Sequence, residues 1–473
     1  MALLTLLLIS ALFPSVQISK DSSALRAGIT AANIRTHLVA FQTIADNNGN
    51  NRAAGTPGHQ ASADYVANKL QSAGYIVTRQ SFQFPYFQEL APPVLERTSP
   101  NPRSFTVGTD MRAMGYSGSG DVTAQLQTTP DIIIPSSAAS TTSTSGCEAS
   151  DFAGFIAGRI ALIQRGTCTF RQKVVNAQNA GAAGVIIFNE GKPGRADVVR
   201  GMIGEPGINI PVVGASFAVG EELYRLMQSG AVTLHLTTST STEFRTTENI
   251  IGETPGGRDD RVVIVGGHLD SVPEGPGLND NASGSAAILE IALQISNLKI
   301  DPRNKMRFAF WGAEEEGLLG SRYYVDQLDA RGIQNIAVVL NFDMIASPNY
   351  KRFVYDGNGS DTRTSGPPGS GEVEKIFLDY FDSVGLATEP TALDGSSDYD
   401  PFIDVGIPAG GLFSGAGQGL DNCYHMPCDD INNINDQALD ELSDAAAHAV
   451  WEFAMTTSTV NDPTPTPTVT PRR

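Results

Sequence analysis

From residue 249 onward, short runs that are apolar throughout alternate with longer amphipathic stretches. RVVIVGG, MRFAFWG, IAVVLNF and IPAGGLF read as strands, and residues 282–298, 317–328, 371–384 and 436–453 as helices. A strand with no polar face is buried on both sides, so the pattern predicts an α/β fold: a mostly parallel central sheet with helices on both faces. Upstream, His37, Leu38 and Phe41 open an amphipathic stretch, followed by the turn-rich NNGNNRAAGTPG, a helix over 62–73, and a strand through 75–84. A Pro-rich passage then runs to about residue 103.

Residues from about 120 to 245 have another texture. A Ser/Thr-rich loop (SSAASTTSTSG) leads to the strand-like GRIALIQRG, GVIIFN, IPVVGAS and VTLHLTT, with one helix over 170–183. Short strands with little helix predict a small inserted β-rich domain without a catalytic cluster. The expected organisation is a leader at 1–20, a first catalytic segment at 21–120, the inserted domain at 121–245, the main catalytic segment at 246–457, and a tail at 458–473.

Composition narrows the function. The chain has 473 residues and a formal charge of −19, which argues against nucleic acid or an anionic membrane as partner. Residues 2–13 are almost wholly apolar, too short to span a bilayer and consistent with a secretory leader; a buried first helix is the alternative reading. No other stretch is long and apolar enough to cross a membrane. The four cysteines, at 147, 168, 423 and 428, have no CxxC spacing. An even count behind a leader favours disulfides, with neighbours in sequence the favoured pairing among three connectivities. The tail DPTPTPTVTPRR has nothing to bury.

In open α/β sheets, functional groups collect beyond the carboxyl ends of the strands. RVVIVGG is followed by His268 and Asp270, MRFAFWGA by Glu314, Glu315 and Glu316, and IAVVLNF by Asp343. A Gly-rich loop after the first strand brings Asp280, and CYHMPC holds His425. Alone, each is unremarkable; together they predict a metal site. Two imidazoles with carboxylates suit zinc, or cobalt or manganese, better than calcium or magnesium. Two zinc ions against three ligand carboxylates leave positive charge that favours a shared hydroxide, the nucleophile of hydrolysis. Asp280, short and on a flexible loop, suits the bridging position. One glutamate of the pair can ligate while the other, off the metal, serves as general base. Asp270 lies two residues from His268, on the same side of an extended chain, and is placed to receive its second N–H.

GGHLDS, GLNDNASG, FWGAEEEGLLGS, LNFDM and CYHMPC, in that order, resemble the motifs of di-zinc aminopeptidases of the aminopeptidase Y and Streptomyces aminopeptidase S type. The resemblance covers about residues 34–123 and 249–457. It implies His268 and Asp343 on one zinc, Glu315 and His425 on the other, Asp280 between them and Glu314 as general base. It also implies a cis peptide after Asp280 and a substrate pocket bordered by Met344, Phe413 and Tyr424, suited to leucine-like N-terminal residues. Tyr424 could also donate to the oxyanion. Such relatives carry an arginine where this chain has Ser396. GTCTFRQKVVNAQNAGAAGVIIFN resembles a protease-associated (PA) domain, whose pattern implies a Cys147–Cys168 bridge. DDINNIND is similar to a calcium-binding region of some relatives, which makes calcium a second candidate ion. The expected protein is thus a secreted, monomeric zinc aminopeptidase acting on peptides. A carboxypeptidase-like enzyme of the same superfamily is the alternative, and an inactive receptor-like fold is disfavoured by the full set of ligands. The remaining histidines, His37, His59, His235 and His448, are expected to be structural.

Overall fold

A computed structural model describes residues 21–134, 142–204, 206–417 and 419–460. The apolar leader and nearly all of the Pro/Thr tail lie outside these residues. The chain divides into two compact units, one of residues up to Phe84 together with those from Thr246, the other Pro85–Arg245.

In the first unit, four parallel strands form the centre of a mixed sheet: β1 (Arg258–His268), β2 (Asn304–Trp311), β3 (Ile336–Phe342) and β4 (Ala409–Phe413). Their order is β4-β3-β1-β2. Strand Phe353–Tyr355 runs antiparallel to β4 and parallel to Glu389–Thr391, and Ile250–Glu253 pairs antiparallel with β2. Parallel neighbours need crossovers, supplied by the helices α1 (Gly284–Asn297) between β1 and β2, and Leu319–Asp326 and Ala330–Asn335 between β2 and β3.

The central strands are apolar on both faces because both are covered. Val263 and Val265 of β1, with Met306, Phe308 and Phe310 of β2, face one core. That core is closed by helices Ala31–Asn47 and Pro57–Ser72, α1, Ser370–Ser383 and α2 (Asp436–Met455). Val262, Ile264, Ala309 and Trp311 face the other core, which receives Tyr324 and Val325 of Leu319–Asp326 and Phe402 of a short helix. Helix starts follow local chemistry: Thr30, Thr56 and Asn435 each accept a backbone N–H at the first turn of the helix they precede.

The second unit has parallel pairing through Gly120–Thr128, Ile160–Gln164, Gly184–Phe188 and Val212–Ala215, with Met111–Ala113 antiparallel at one end. The texture change near residue 120 therefore falls inside this unit. Helix Phe217–Met227 was not anticipated: its Gly220 sits against Phe188 and its start is capped by Ser216. The Pro-rich passage also differs from expectation. It continues the strand Ile76–Ser99. Cys147–Cys168 and Cys423–Cys428 are disulfides, and no described cysteine is free. No described helix is long and apolar enough to cross a membrane.

Candidate metal centre and peptidase site

β1 ends on His268, β2 stops three residues before Glu314, and β3 ends immediately before Asp343, so parallel alignment delivers all three to one edge of the sheet. His268 Nε2 lies 3.2 Å from Asp343 Oδ1, 3.2 Å from Asp280 Oδ1 and 3.9 Å from Glu314 Oε2. His425 Nε2 lies 3.2 Å from Asp280 Oδ2 and 3.0 Å from Glu315 Oε2. The two oxygens of Asp280 thus face two different imidazoles, each of which has another carboxylate beside it. Ala313, Met344 and His425, which precede, follow or carry site groups, all have positive φ (57°, 50° and 57°). Non-glycine residues in that region are held there by their surroundings, and such positions concentrate at functional sites.

The loop bearing Asp280 is gripped through its backbone. The Asn279 and Asp280 N–H groups donate to the two oxygens of Asp429 at 2.9 and 3.0 Å. Asn281 donates to Phe342 O at 2.9 Å and accepts from Met344 N at 3.1 Å, tying the Asp280 loop to the end of β3. The Asp280–Asn281 peptide is cis. Gly277 has φ 63°, and a Cβ there would come within 2.3 Å of Asp280 O, so only glycine fits the turn. Ser397 Oγ donates to Asp343 Oδ2 at 2.6 Å.

The site is crowded with acid. Burial, then Asp280, pushes Glu315 up to about 8. Glu314 is raised well above the usual carboxylate range, by burial first and by Glu315, Asp343 and Asp398 besides, with His268 opposing. Against burial, Asp280 and Glu315 lift His425 to about 10. Asp280 is held low because hydrogen bonds from both imidazoles outweigh its burial. A buried cluster that draws positive charge so strongly suits a cation. Ligand atoms of His268, Asp280 and Glu315, and of His268, Glu314 and Asp343, converge within 4.8 Å of one another. Glu315 Oε1 is buried with no hydrogen-bond partner, as a coordinating oxygen would be.

The cleft over this cluster, about 260 Å³, is lined by Asp280, Glu314, Glu315, Asp343 and His425, and also by Met344, Phe413 and Tyr424. The Tyr424 ring stacks on His425 at 3.9 Å between centroids. Glu316 does not line it.

A family model for peptidase family M28 matches residues 249–450, and one for the PA domain matches residues 128–223. An aminopeptidase of Pseudomonas aeruginosa is 45% identical over 92% of this chain and 83% of its own length. The chain belongs to peptidase family M28. Two solved structures agree with its fold. An aminopeptidase from Aneurinibacillus sp. strain AM-1 gives a TM-score of 0.73 at 26% identity, over 93% of this chain and 98% of that one. A zinc aminopeptidase from Bacillus subtilis gives 0.60 at 26% identity, over 91% and 98%.

Some supports of this M28 site were not legible in the sequence. Asp270 was expected to hold His268 by its carboxylate. Its Oδ1 is 3.7 Å from His268 Nδ1, which lies closer to the Asp270 backbone oxygen at 3.2 Å. The carboxylate also accepts the Glu314 and Glu315 N–H groups at 3.2 and 3.3 Å, fixing the glutamate pair. Arg52 is fully buried and donates to the carbonyls of Leu269, Pro276 and Gly277. Burial lowers it to about 10, with Asp270, Asp429, Asp280 and Glu315 opposing, so it stays cationic. In the acidic DDINNIND stretch, Asp429 holds the Asp280 loop, Asp430 caps residues 431–433, and Asp436 pairs with Arg35. Among the other histidines, His37 meets Glu290 and Tyr65, His59 meets Glu248 O, His235 meets Asp121 and His448 meets Ser22. None joins the cleft.

Proposed function

We propose that this M28 peptidase is a secreted aminopeptidase that uses two zinc ions to remove N-terminal residues, large apolar ones such as leucine among them. His268 and Asp343 would hold one ion, Glu315 and His425 the other, and Asp280 would bridge. The observation that carries this reading is the pair of Asp280 oxygens facing different imidazoles at 3.2 Å each. The mixed imidazole–carboxylate donor set fits zinc. The ions would polarise the scissile carbonyl and supply the Lewis acidity for hydrolysis.

The protein's own groups do the rest. Glu314, in the cleft and kept in place through its backbone by Asp270, takes the attacking water's proton and passes it to the leaving amine. Tyr424, at the cleft wall, donates its hydroxyl to the carbonyl oxygen as charge develops. Met344 and Phe413 offer an apolar surface to the substrate's first side chain. No lysine or arginine is among the lining residues, so a substrate C-terminal carboxylate would find no clamp, whereas a free ammonium meets carboxylates. The two disulfides suit an oxidising compartment.

The test uses leucine p-nitroanilide, the same compound N-acetylated, and an acetylated peptide with a free C-terminus. Turnover of the first alone, abolished by chelator and restored by zinc, is expected. Cleavage confined to the acetylated peptide would instead establish the carboxypeptidase alternative.

A further inference from the structure

Beyond the apolar wall, the same cleft carries a carboxylate that neither the metal centre nor the proton transfers use. Asp394 lines it, together with Met344, Tyr355, Thr391, Ser396 and Phe413. Met344 follows β3, Phe413 ends β4, and Tyr355 and Thr391 end the two adjoining short strands. These form the side of the cleft where a substrate's first side chain would lie.

Asp394 is held there by design of the loop. The Tyr399 hydroxyl accepts the backbone N–H groups of Asp394, Gly395 and Ser396 at 3.1, 3.2 and 3.2 Å, and donates its own proton to Asp394 Oδ1 at 3.2 Å. Tyr399 is itself fully buried and edge-on to Tyr355 at 4.9 Å. A buried phenol thus fixes an exposed carboxylate at the pocket rim, and among the described residues no lysine or arginine pairs with it. The Tyr355 phenol, raised well above its usual range by burial and then by Tyr399, Asp343, Asp394 and Glu314, stands in the field of both groups of acids.

Asp394 is outside the proposed ligand set, and its carboxylate is exposed in the cleft. An aliphatic stem can pass along Met344, Phe413 and Tyr355 while a terminal cation reaches the rim, as lysine and arginine side chains do at amphipathic surfaces.

We propose that Asp394 is a specificity-determining residue that extends the substrate class to N-terminal lysine and arginine. This rests on the aminopeptidase reading above. Lysine and norleucine p-nitroanilides separate charge from shape, since norleucine keeps the stem and lacks the ammonium. The measurement is the ratio of their kcat/KM values for the full chain and for Asp394→Asn, whose amide oxygen can still accept from Tyr399. We expect the lysine-to-norleucine ratio to fall about two- to fivefold in Asp394→Asn, the scale of one exposed charge pair. Asp394→Glu should preserve most of the ratio, and added salt should lower it in the unmodified protein only. An equal ratio in the unmodified protein and Asp394→Asn, both active on norleucine, would overturn the inference and leave the aminopeptidase reading standing. No turnover of either compound by the unmodified protein would overturn the aminopeptidase reading itself.

Discussion

Asp429→Asn tests whether the proposed metal centre depends on a residue outside the proposed ligand set. Asp429 is 2% exposed, and its two oxygens accept the N–H groups of Asn279 and Asp280, with Asn433 Nδ2 also 3.0 Å from Oδ1. The substitution keeps the shape but replaces one oxygen with a second donor. Only one loop N–H can then be accepted, and the other faces an NH2 group. A hydrogen bond to a charged group is worth about 1.5–3 kcal/mol, and a buried unmatched donor costs about 1–3 kcal/mol, so roughly 3 kcal/mol is expected at the loop. Spread between loop displacement and ligand orientation, this corresponds to about 10–100-fold weaker metal binding, the usual range for losing an outer partner of a ligand. Competition with a coloured chelator gives zinc affinity, and thermal unfolding of the metal-free protein separates loss of the site from loss of the fold. Asp430→Asn is the matched control, because Asp430 caps only residues 431–433 and accepts from Asn432 N at 2.8 Å. Metal affinity of Asp429→Asn equal to that of Asp430→Asn would refute the reasoning.

Glu314→Gln should retain zinc, since the proposed ligands are untouched, while kcat falls on the order of 10³-fold, within the range of a lost general base; near-normal kcat would show the base to be another group. Asp280→Ala should bind substantially less than two zinc ions by elemental analysis, and full metal content would remove the bridging role. In the second unit, Lys173 is buried with its ammonium on Ser145 O and 3.5 Å from Cys147 Sγ, and burial lowers it to about 8. An unfolded lysine titrates near 10.4, so between about 8 and 10.4 the unfolded chain binds more protons and stability rises with pH. The stability of the unmodified protein relative to Lys173→Met, from chemical denaturation, should therefore climb across that window; a flat difference would contradict the burial of the ammonium.

The fold and the clustering of the candidate site residues were legible because parallel sheets impose a rule that sequence can express. A strand apolar on both faces ends where its helix begins, and His268, Glu314, Glu315 and Asp343 stand at such ends. Helix Phe217–Met227 escaped because FAVGEELYRLM lies beside the strand-like IPVVGAS and is only partly apolar. Asp270 is legible from its spacing from His268, and its carboxylate also serves the two amides 44 and 45 residues downstream. Spacing reports which side of a strand a residue occupies, not which of several neighbours it will bond.

Arg52 and Asp429 were invisible for a deeper reason: both act on backbone atoms, which every residue has. Arg52 lies in an Asn/Gly-rich turn and reaches carbonyls 217 to 225 positions away; Asp429 sits in an acidic run and reaches amides 149 and 150 positions away. Yet their pairing follows from the loop's needs. The carbonyls of Leu269, Pro276 and Gly277 and the N–H groups of Asn279 and Asp280 belong to buried residues, where water cannot satisfy them. A buried guanidinium answers the carbonyls and a buried carboxylate answers the amides. Each charge alone would be costly inside a protein; with opposite signs on the same loop, and with the acids of the site nearby, each lowers the cost of the other. The position of Asp280, on which the proposed two-ion centre turns, is therefore a property of this charge pair as much as of the aspartate.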